Sequence, residues 1–256
     1  MSLEVKGLLE APELNIRDVH RFLFIFSDTG GGHRASAQAV KNEMQRLYGS
    51  AVSVEMVDFF VEIGRWPFPN IPEWYPFMVG LNGIPWGMGF HLSDDVKRVK
   101  TISKILWPYV KSGFCELLCR HPADVIVSFH PVPNYALTLS LRYLGWRTPM
   151  AIVALDLVTA HAGWFIPGGA RYLVPTGGAK QRALQCGVPK RRIKVTGMPT
   201  RRRFVESICL PKSLARERLA LPSDKPIVLM IGGGEGMGPL PDVVRAVAPR
   251  VRDAHL

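Results

Sequence analysis

Arg21 to Ser27 (RFLFIFS) is a short apolar run. It breaks into Asp28-Thr29-Gly30-Gly31-Gly32 and gives way, from about Arg34 to Tyr48, to a stretch with Ala35, Ala39 and other small residues facing inward. That is strand, glycine turn, helix, with Gly49 as a natural stop after the last helical residue. The rhythm recurs. Ala51 to Val57, Asp124 to Phe129, Met150 to Leu155, Arg171 to Val174 and Ile193 to Thr196 read as strands, and Asn134 to Leu144 and Ala179 to Cys186 as helices. The strand segments are continuous apolar blocks rather than alternating ones, as expected when both faces of a strand are covered. Strands alternating with helices predict a parallel, right-handed, Rossmann-like α/β sheet.

Composition supports a folded chain. With 256 residues, 47% hydrophobic and 21% charged, there is enough apolar material for a sizeable core, which excludes intrinsic disorder and collagen-like structure. A net charge of +11 favours anionic partners: nucleic acid, acidic lipid or a phosphorylated substrate. Cys115, Cys119, Cys186 and Cys209 are too few and scattered for a disulfide scaffold, so a reducing compartment is expected. Met1 to Arg21 has no apolar core of a signal peptide, and no apolar run reaches the ~18 residues of a membrane span. A soluble or peripheral protein is the expectation.

Two stretches break the rhythm. Trp66 to Phe90 carries five prolines, seven aromatics and one charge, Glu73, too many prolines for one continuous helix. Asp95 to Arg120 then reads as two helical pieces, Pro108 starting the second. The first has Val99, Ile102 and Leu106 on one side and Lys97, Lys100 and Lys104 along another. A domain boundary is expected near Cys209 to Ser213, giving domains 1–210 and 211–256. Beyond it a helix (Ser213 to Leu219), a strand (Pro226 to Ile231) and a second glycine loop, Gly232-Gly233-Gly234-Glu235-Gly236, restart the pattern. The 46 residues from Pro211 read as the beginning of a second α/β domain, so the chain looks truncated.

The first glycine loop places backbone N–H groups and a helix N-terminus at a potential anion site. Gly30-x-Gly32-x-x-Ala35 also satisfies the dinucleotide pattern, with Asp58 as a candidate ribose acid, and so admits an NAD-type oxidoreductase. That pattern leaves His33 unexplained. A helix N-terminus disfavours imidazolium, so His33 is expected to be neutral and able to accept a proton, as a general base must. A structural histidine bonding its own loop remains the alternative.

The second glycine loop lies where open α/β sheets bind ligands, or is a plain tight turn. Trp66, Trp74 and Trp86, followed by the lysines, suggest a membrane surface, against the alternatives of a core loop and a solvated helix face. A non-catalytic membrane-surface domain is therefore another reading. Cys115, Cys119 and His121 are read as buried thiols on a helix rather than a metal site. Lys190-Arg191-Arg192 and Arg201-Arg202-Arg203 come without any nucleic-acid motif, so no nucleic-acid partner is expected.

Taken together, several motifs resemble the monogalactosyldiacylglycerol synthases. They are Ser27-Asp28-Thr29-Gly30-Gly31-Gly32-His33-Arg34-Ala35-Ser36-Ala37, Trp66-Pro67-Phe68, Ser128-Phe129-His130-Pro131, Asp156-Leu157 with His161 and Trp164-Phe165, Gly197-Met198-Pro199-Thr200-Arg201, and Gly232 to Pro239. The likeness begins near Arg21 and covers nearly the whole chain. It implies a GT-B glycosyltransferase whose first domain receives the lipid and whose second holds a UDP-sugar. The reaction it implies moves galactose from UDP-galactose to the sn-3 hydroxyl of diacylglycerol, with inversion and without a metal or other cofactor.

By resemblance His33 is the base, and His33 and Pro67 contact anionic phospholipid. Trp66, Phe68, Trp74 and Trp86 join the acceptor surface, while Gly31, Gly32, Arg201 and Gly232, Gly233, Gly234, Glu235 and Gly236 meet the UDP-sugar. UDP-glucose remains open as donor. Location is expected at a membrane surface, on the cytoplasmic side in a bacterium or at the plastid envelope in a plant. The chain departs from the family's pattern at Ala154 to Leu157, and has His161-Ala162-Gly163-Trp164 where the family has His-Pro-Thr-Trp. It is expected to be inactive alone, binding UDP no better than about millimolar.

Overall fold

The computed structural model describes residues 20–29, 31–64, 66–74, 84–232 and 239–256, with the backbone alone at 84–86. It divides into two compact units, Ala11–Thr200 and, among the described residues, Arg201–Leu256.

In the larger unit β1 (His20–Phe26) leads through the glycine loop into α1 (Gly32–Tyr48), then β2 (Val52–Asp58) and the short α2 (Phe59–Ile63). Next come α3 (Ile84–Ser93), α4 (Val96–Arg120), β3 (Val125–Ser128), α5 (Asn134–Tyr143) and β4 (Met150–Val153). The unit continues through β5 (Arg171–Val174), α6 (Gly177–Gln185) and β6 (Ile193–Val195). The six strands form one sheet in the order β2-β1-β3-β4-β5-β6, and every pair is parallel. The predicted α/β sheet is therefore present.

Alternate residues of β1 show why its sequence is apolar throughout. Phe24 and Phe26 join a core with Phe129, Trp164 and Tyr172, while Leu23 and Ile25 join another with Phe59, Phe114 and Leu117. The order reverses between β1 and β3, and the loops leaving the carboxyl ends of those two strands flank the crevice in which open α/β sheets place their ligands.

Several expectations are corrected. Helix α4 runs unbroken for 25 residues, with Pro108 inside it rather than at the start of a second piece. Pro108 removes one backbone bond, to Lys104, which is exposed on the outer side of the helix. The half beyond it is held by burial of Val110, Phe114, Leu117 and Leu118. At Gly113 the helix passes so close to the end of α2 that an added Cβ would stand 2.6 Å from the Ile63 carbonyl oxygen. Within the proline-rich stretch, residues 84–93 form a regular helix, because Pro85 falls in the first turn, where a missing N–H breaks no helix bond.

In the smaller unit α7 (Arg202–Ser207), α8 (Lys212–Arg218) and α9 (Leu240–Val247) are formed. The strand expected at Pro226 to Ile231 is not. Ile227 makes an isolated parallel bridge to His255, and Leu229 and Ile231 are exposed. A β segment needs a paired neighbour and a covered face, and among the described residues this one has neither beyond the single bridge. Cys119, read as a buried thiol, is exposed.

Candidate active site

Gly31 caps α1 with a left-handed backbone (φ 72°), a conformation that favours glycine, and no side chain caps the helix. The first helical bond runs from the Ala35 N–H to the Gly31 carbonyl, 3.0 Å. Beside this terminus Arg34 forms a two-pronged ion pair with Asp28, 2.5 Å at Nε, and its guanidinium lies 4.7 Å from the centre of the Phe26 ring. The Arg34 charge is thus already paired.

His33, one residue inside the helix, reaches across to β3. Its Nδ1 lies 2.7 Å from the carbonyl oxygen of Phe129. A carbonyl only accepts, so Nδ1 carries the hydrogen and Nε2 carries the lone pair. Among the described residues Nε2 has no hydrogen-bond partner. Burial pushes the His33 pKa below the ordinary 6.5, more than the Phe129 bond and the Asp156 charge raise it. The ring is therefore neutral near pH 7, with a free proton acceptor.

Two more histidines stand on the same edge with different wiring. His130, whose ring centre is 4.5 Å from that of His33, accepts the Val132 N–H at Nδ1 (3.2 Å), so its hydrogen is on Nε2, 3.5 Å from Thr29 Oγ1. Burial, and then the neighbouring His33, hold its pKa well below 6.5. His161 accepts the Gly163 N–H at Nδ1 (3.1 Å) and meets Ser93 Oγ at Nε2 (3.1 Å); burial lowers its pKa too. Both nitrogens of His161 are engaged. Asp156 takes a hydrogen bond from the Trp164 indole, 2.8 Å, and that indole ring lies 6.0 Å from the His33 ring.

Of the predicted site residues, Gly31, Gly32 and His33 lie together at the α1 terminus. Phe68 is linked to them through a series of rings: His33 to His130, His130 to Phe60 at 6.0 Å, and Phe60 to Phe68 at 6.3 Å. Pro67 is half-buried beside it, whereas Trp66 is 70% exposed and Trp74 faces solvent as well. The Tyr109 hydroxyl donates to the Trp66 carbonyl, tying this segment to α4. The side chain of Trp86 lies outside the described residues, as do Gly233, Gly234, Glu235 and Gly236. Arg201 and Gly232 are exposed in the smaller unit.

Asp58 does not suit a ribose. Its Oδ1 caps α2 by accepting the Phe60 N–H (3.0 Å), and its Oδ2 accepts the Asp28 N–H (2.9 Å), which removes the acid from the dinucleotide pattern. His121 is held by Glu55 at 2.7 Å, and among the described residues no three metal-ligating side chains converge. His130, Asp156 and Trp164 had no role assigned from the sequence. The available signal was position for two of them, since His130 and Asp156 fall within three residues of the ends of β3 and β4.

The fold and site define a doubly wound α/β protein with a neutral histidine at the switch point of its sheet. Residues 33–200 match the model of the family described as monogalactosyldiacylglycerol (MGDG) synthase, and the chain belongs to that family. It is 33% identical to the chloroplastic monogalactosyldiacylglycerol synthase of Spinacia oleracea over 98% of this chain and 49% of that one. It is 32% identical to monogalactosyldiacylglycerol synthase 1, chloroplastic, of Arabidopsis thaliana over 92% of this chain and 44% of that one. The chain thus spans about half the length of these relatives. Among solved structures, the UDP-GlcNAc 2-epimerase of Neisseria meningitidis bound to UDP-GlcNAc aligns with a TM-score of 0.40 at 12% identity, over 81% of this chain and 55% of that one.

Proposed function

We propose that this chain carries the acceptor side of an inverting GT-B glycosyltransferase that moves a hexose, galactose by family, from a UDP-sugar to the sn-3 hydroxyl of diacylglycerol. The observation that carries the reading is the His33 tautomer. With Nδ1–H fixed on the Phe129 carbonyl, Nε2 is the nitrogen left to act as a base. In this reading Nε2 takes the hydroxyl proton while the lipid oxygen attacks the anomeric carbon opposite the departing UDP. The neutral His130 beside it adds no repelling charge to the imidazolium that forms.

By the family resemblance, the Gly232–Gly236 loop and Arg201 would meet the UDP-sugar and stabilise the developing diphosphate charge. None of these roles requires a metal.

The acceptor must be taken from a membrane. No helix among the described residues is long and apolar enough to cross one. Peripheral contact is supported by exposed Trp66 and Trp74, with Pro67 and Phe68 leading inward, and by the lysines on α4. A transfer assay from labelled UDP-galactose and UDP-glucose to diacylglycerol in anionic vesicles tests the reading. His33→Ala should lower turnover roughly 10²–10⁴-fold without changing UDP affinity. Unchanged turnover removes His33 as the base.

A further inference from the structure

Beside the His33 site lies a cleft of about 190 Å³, lined almost wholly by apolar side chains. It is lined by Phe59 and Phe114, which are buried, and by the face of α4 carrying Val99, Ile102, Leu106 and Val110. Pro131, Val132 and Gly163 also line it. Ser93, Ser103 and His161 are the polar members, and His161 and Ser93 hydrogen-bond each other. Ser103 is the one remaining polar member, so the lining is predominantly apolar. A dry engineered cavity of ~150 Å³ already admits benzene, so the space suits a hydrocarbon segment.

Its position is more telling than its size. The backbone that lines it at Pro131 and Val132 is the same loop whose Phe129 carbonyl fixes His33, and Gly163 precedes Trp164, the ring beside His33. The cleft therefore begins within a few residues of the proton acceptor. Its outer lip, Ile102 and Leu106, is partly exposed, and the same helix carries Lys97, Lys100 and Lys104. These lysines run along another side of α4 than the cleft lining, so the helix that walls the cleft also presents a basic face to the anionic headgroups of a bilayer, which favours a chain from a lipid over a soluble ligand.

We propose that this cleft holds one acyl chain of the acceptor lipid, entering between Ile102 and Val132, so that the glycerol hydroxyl is carried to His33 Nε2. This rests on reading the His33 site as a lipid acceptor site. Burying the chain fixes the hydroxyl relative to the base, and packing alone selects a long-chain glycerolipid over free glycerol.

Two photoreactive dioleoylglycerols in anionic vesicles test it with the whole chain. One carries a diazirine halfway along an acyl chain, the other a diazirine on the glycerol. The chain probe should mark residues 99–106 and 131–132, and the glycerol probe residues 27–33 and 129–130. Ser103→Trp fills the cleft and Leu106→Asp charges it; both sites are partly exposed, and circular dichroism checks that the variants fold. Each should cut chain-probe labelling about tenfold. If labelling is undiminished in both folded variants, or falls elsewhere while the glycerol probe still marks the His33 loop, the cleft is wrong and the acceptor reading stands. If neither probe marks the His33 loop or the cleft, both fall.

Discussion

The Nδ1 of His33 meets the carbonyl oxygen of Phe129 at 2.7 Å, across the gap between the ends of β1 and β3. One hydrogen bond thereby joins the first turn of α1 to the loop after β3, on either side of the reversal of strand order, and selects which imidazole nitrogen is left to accept a proton. His130, one residue further on, has the opposite tautomer because the Val132 N–H occupies its Nδ1. Two histidines 4.5 Å apart are thus differentiated by backbone alone.

The first prediction is a pH profile. Burial sets the His33 pKa below 6.5, so the proton-accepting form dominates at neutral pH. kcat/KM for transfer should be flat between pH 7 and 8 and fall as the pH drops through the depressed value, with an acid-side midpoint below 6.5. A midpoint above that value contradicts the assignment.

The second concerns stability. His130 is buried neutral, with its folded-state pKa well below the ordinary 6.5. The unfolded chain then binds the extra proton first. The favourable contribution is complete above about pH 6.5 and is lost as pH falls from there toward the folded-state value, by at most about 1.4 kcal/mol per pH unit. His33 and His161 shift the same way and reinforce the trend. Urea midpoints at pH 7.5, 6.0 and 5.0 should decline, and His130→Asn should flatten the decline. A constant midpoint would falsify this account.

The sheet was legible in the sequence because strands covered on both faces leave uninterrupted apolar runs, and each of the six read in the larger unit is formed. His33 was legible for a similar reason: its place between a glycine turn and a helix is fixed locally. What escaped was set by distant contacts. Pro108 lies inside α4 because burial beyond it outweighs one lost backbone bond. Asp58 looks like a ribose acid until Phe60 and Asp28 are seen to occupy both its oxygens. The segment Pro226 to Ile231 has the composition of a strand, yet pairing depends on neighbours that its own residues do not encode. His130 and Asp156 gain their place near His33 only when β3 pairs with β1 and β4 with β3.

A third prediction separates two glycines. In a helix interior alanine is ordinarily favoured over glycine by roughly 1 kcal/mol. At Gly113 that preference should reverse, because the new methyl would stand 2.6 Å from the Ile63 carbonyl oxygen, a backbone atom that cannot swing aside. Gly113→Ala is expected to destabilise by about 1–3 kcal/mol, as overpacking does. At Gly32 nothing lies within 4 Å of an added Cβ, and Gly32→Ala should unfold at the wild-type urea concentration. Equal midpoints for the two variants would remove the close approach of α4 to α2 as a constraint.

The last prediction addresses the membrane surface. Trp66 is 70% exposed and Trp74 42%, while Ile105 on α4 is 72% exposed beside Lys104. Such aromatics insert shallowly at an interface and gain from area buried, independent of salt. The lysines act through the surface potential, about 1 kcal/mol each, and are screened beyond a Debye length of about 10 Å at 0.1 M salt. The two contributions should therefore separate. Replacing Lys97, Lys100 and Lys104 together by Gln should weaken co-sedimentation with anionic vesicles roughly 100-fold and abolish most of its salt dependence. Replacing Trp66 and Trp74 by Ser should weaken binding to anionic and neutral vesicles alike while leaving the salt dependence in place. If the lysine variant keeps its salt dependence, the basic side of α4 does not face the bilayer. If the tryptophan variant binds like the wild type, the segment around Pro67 does not enter it.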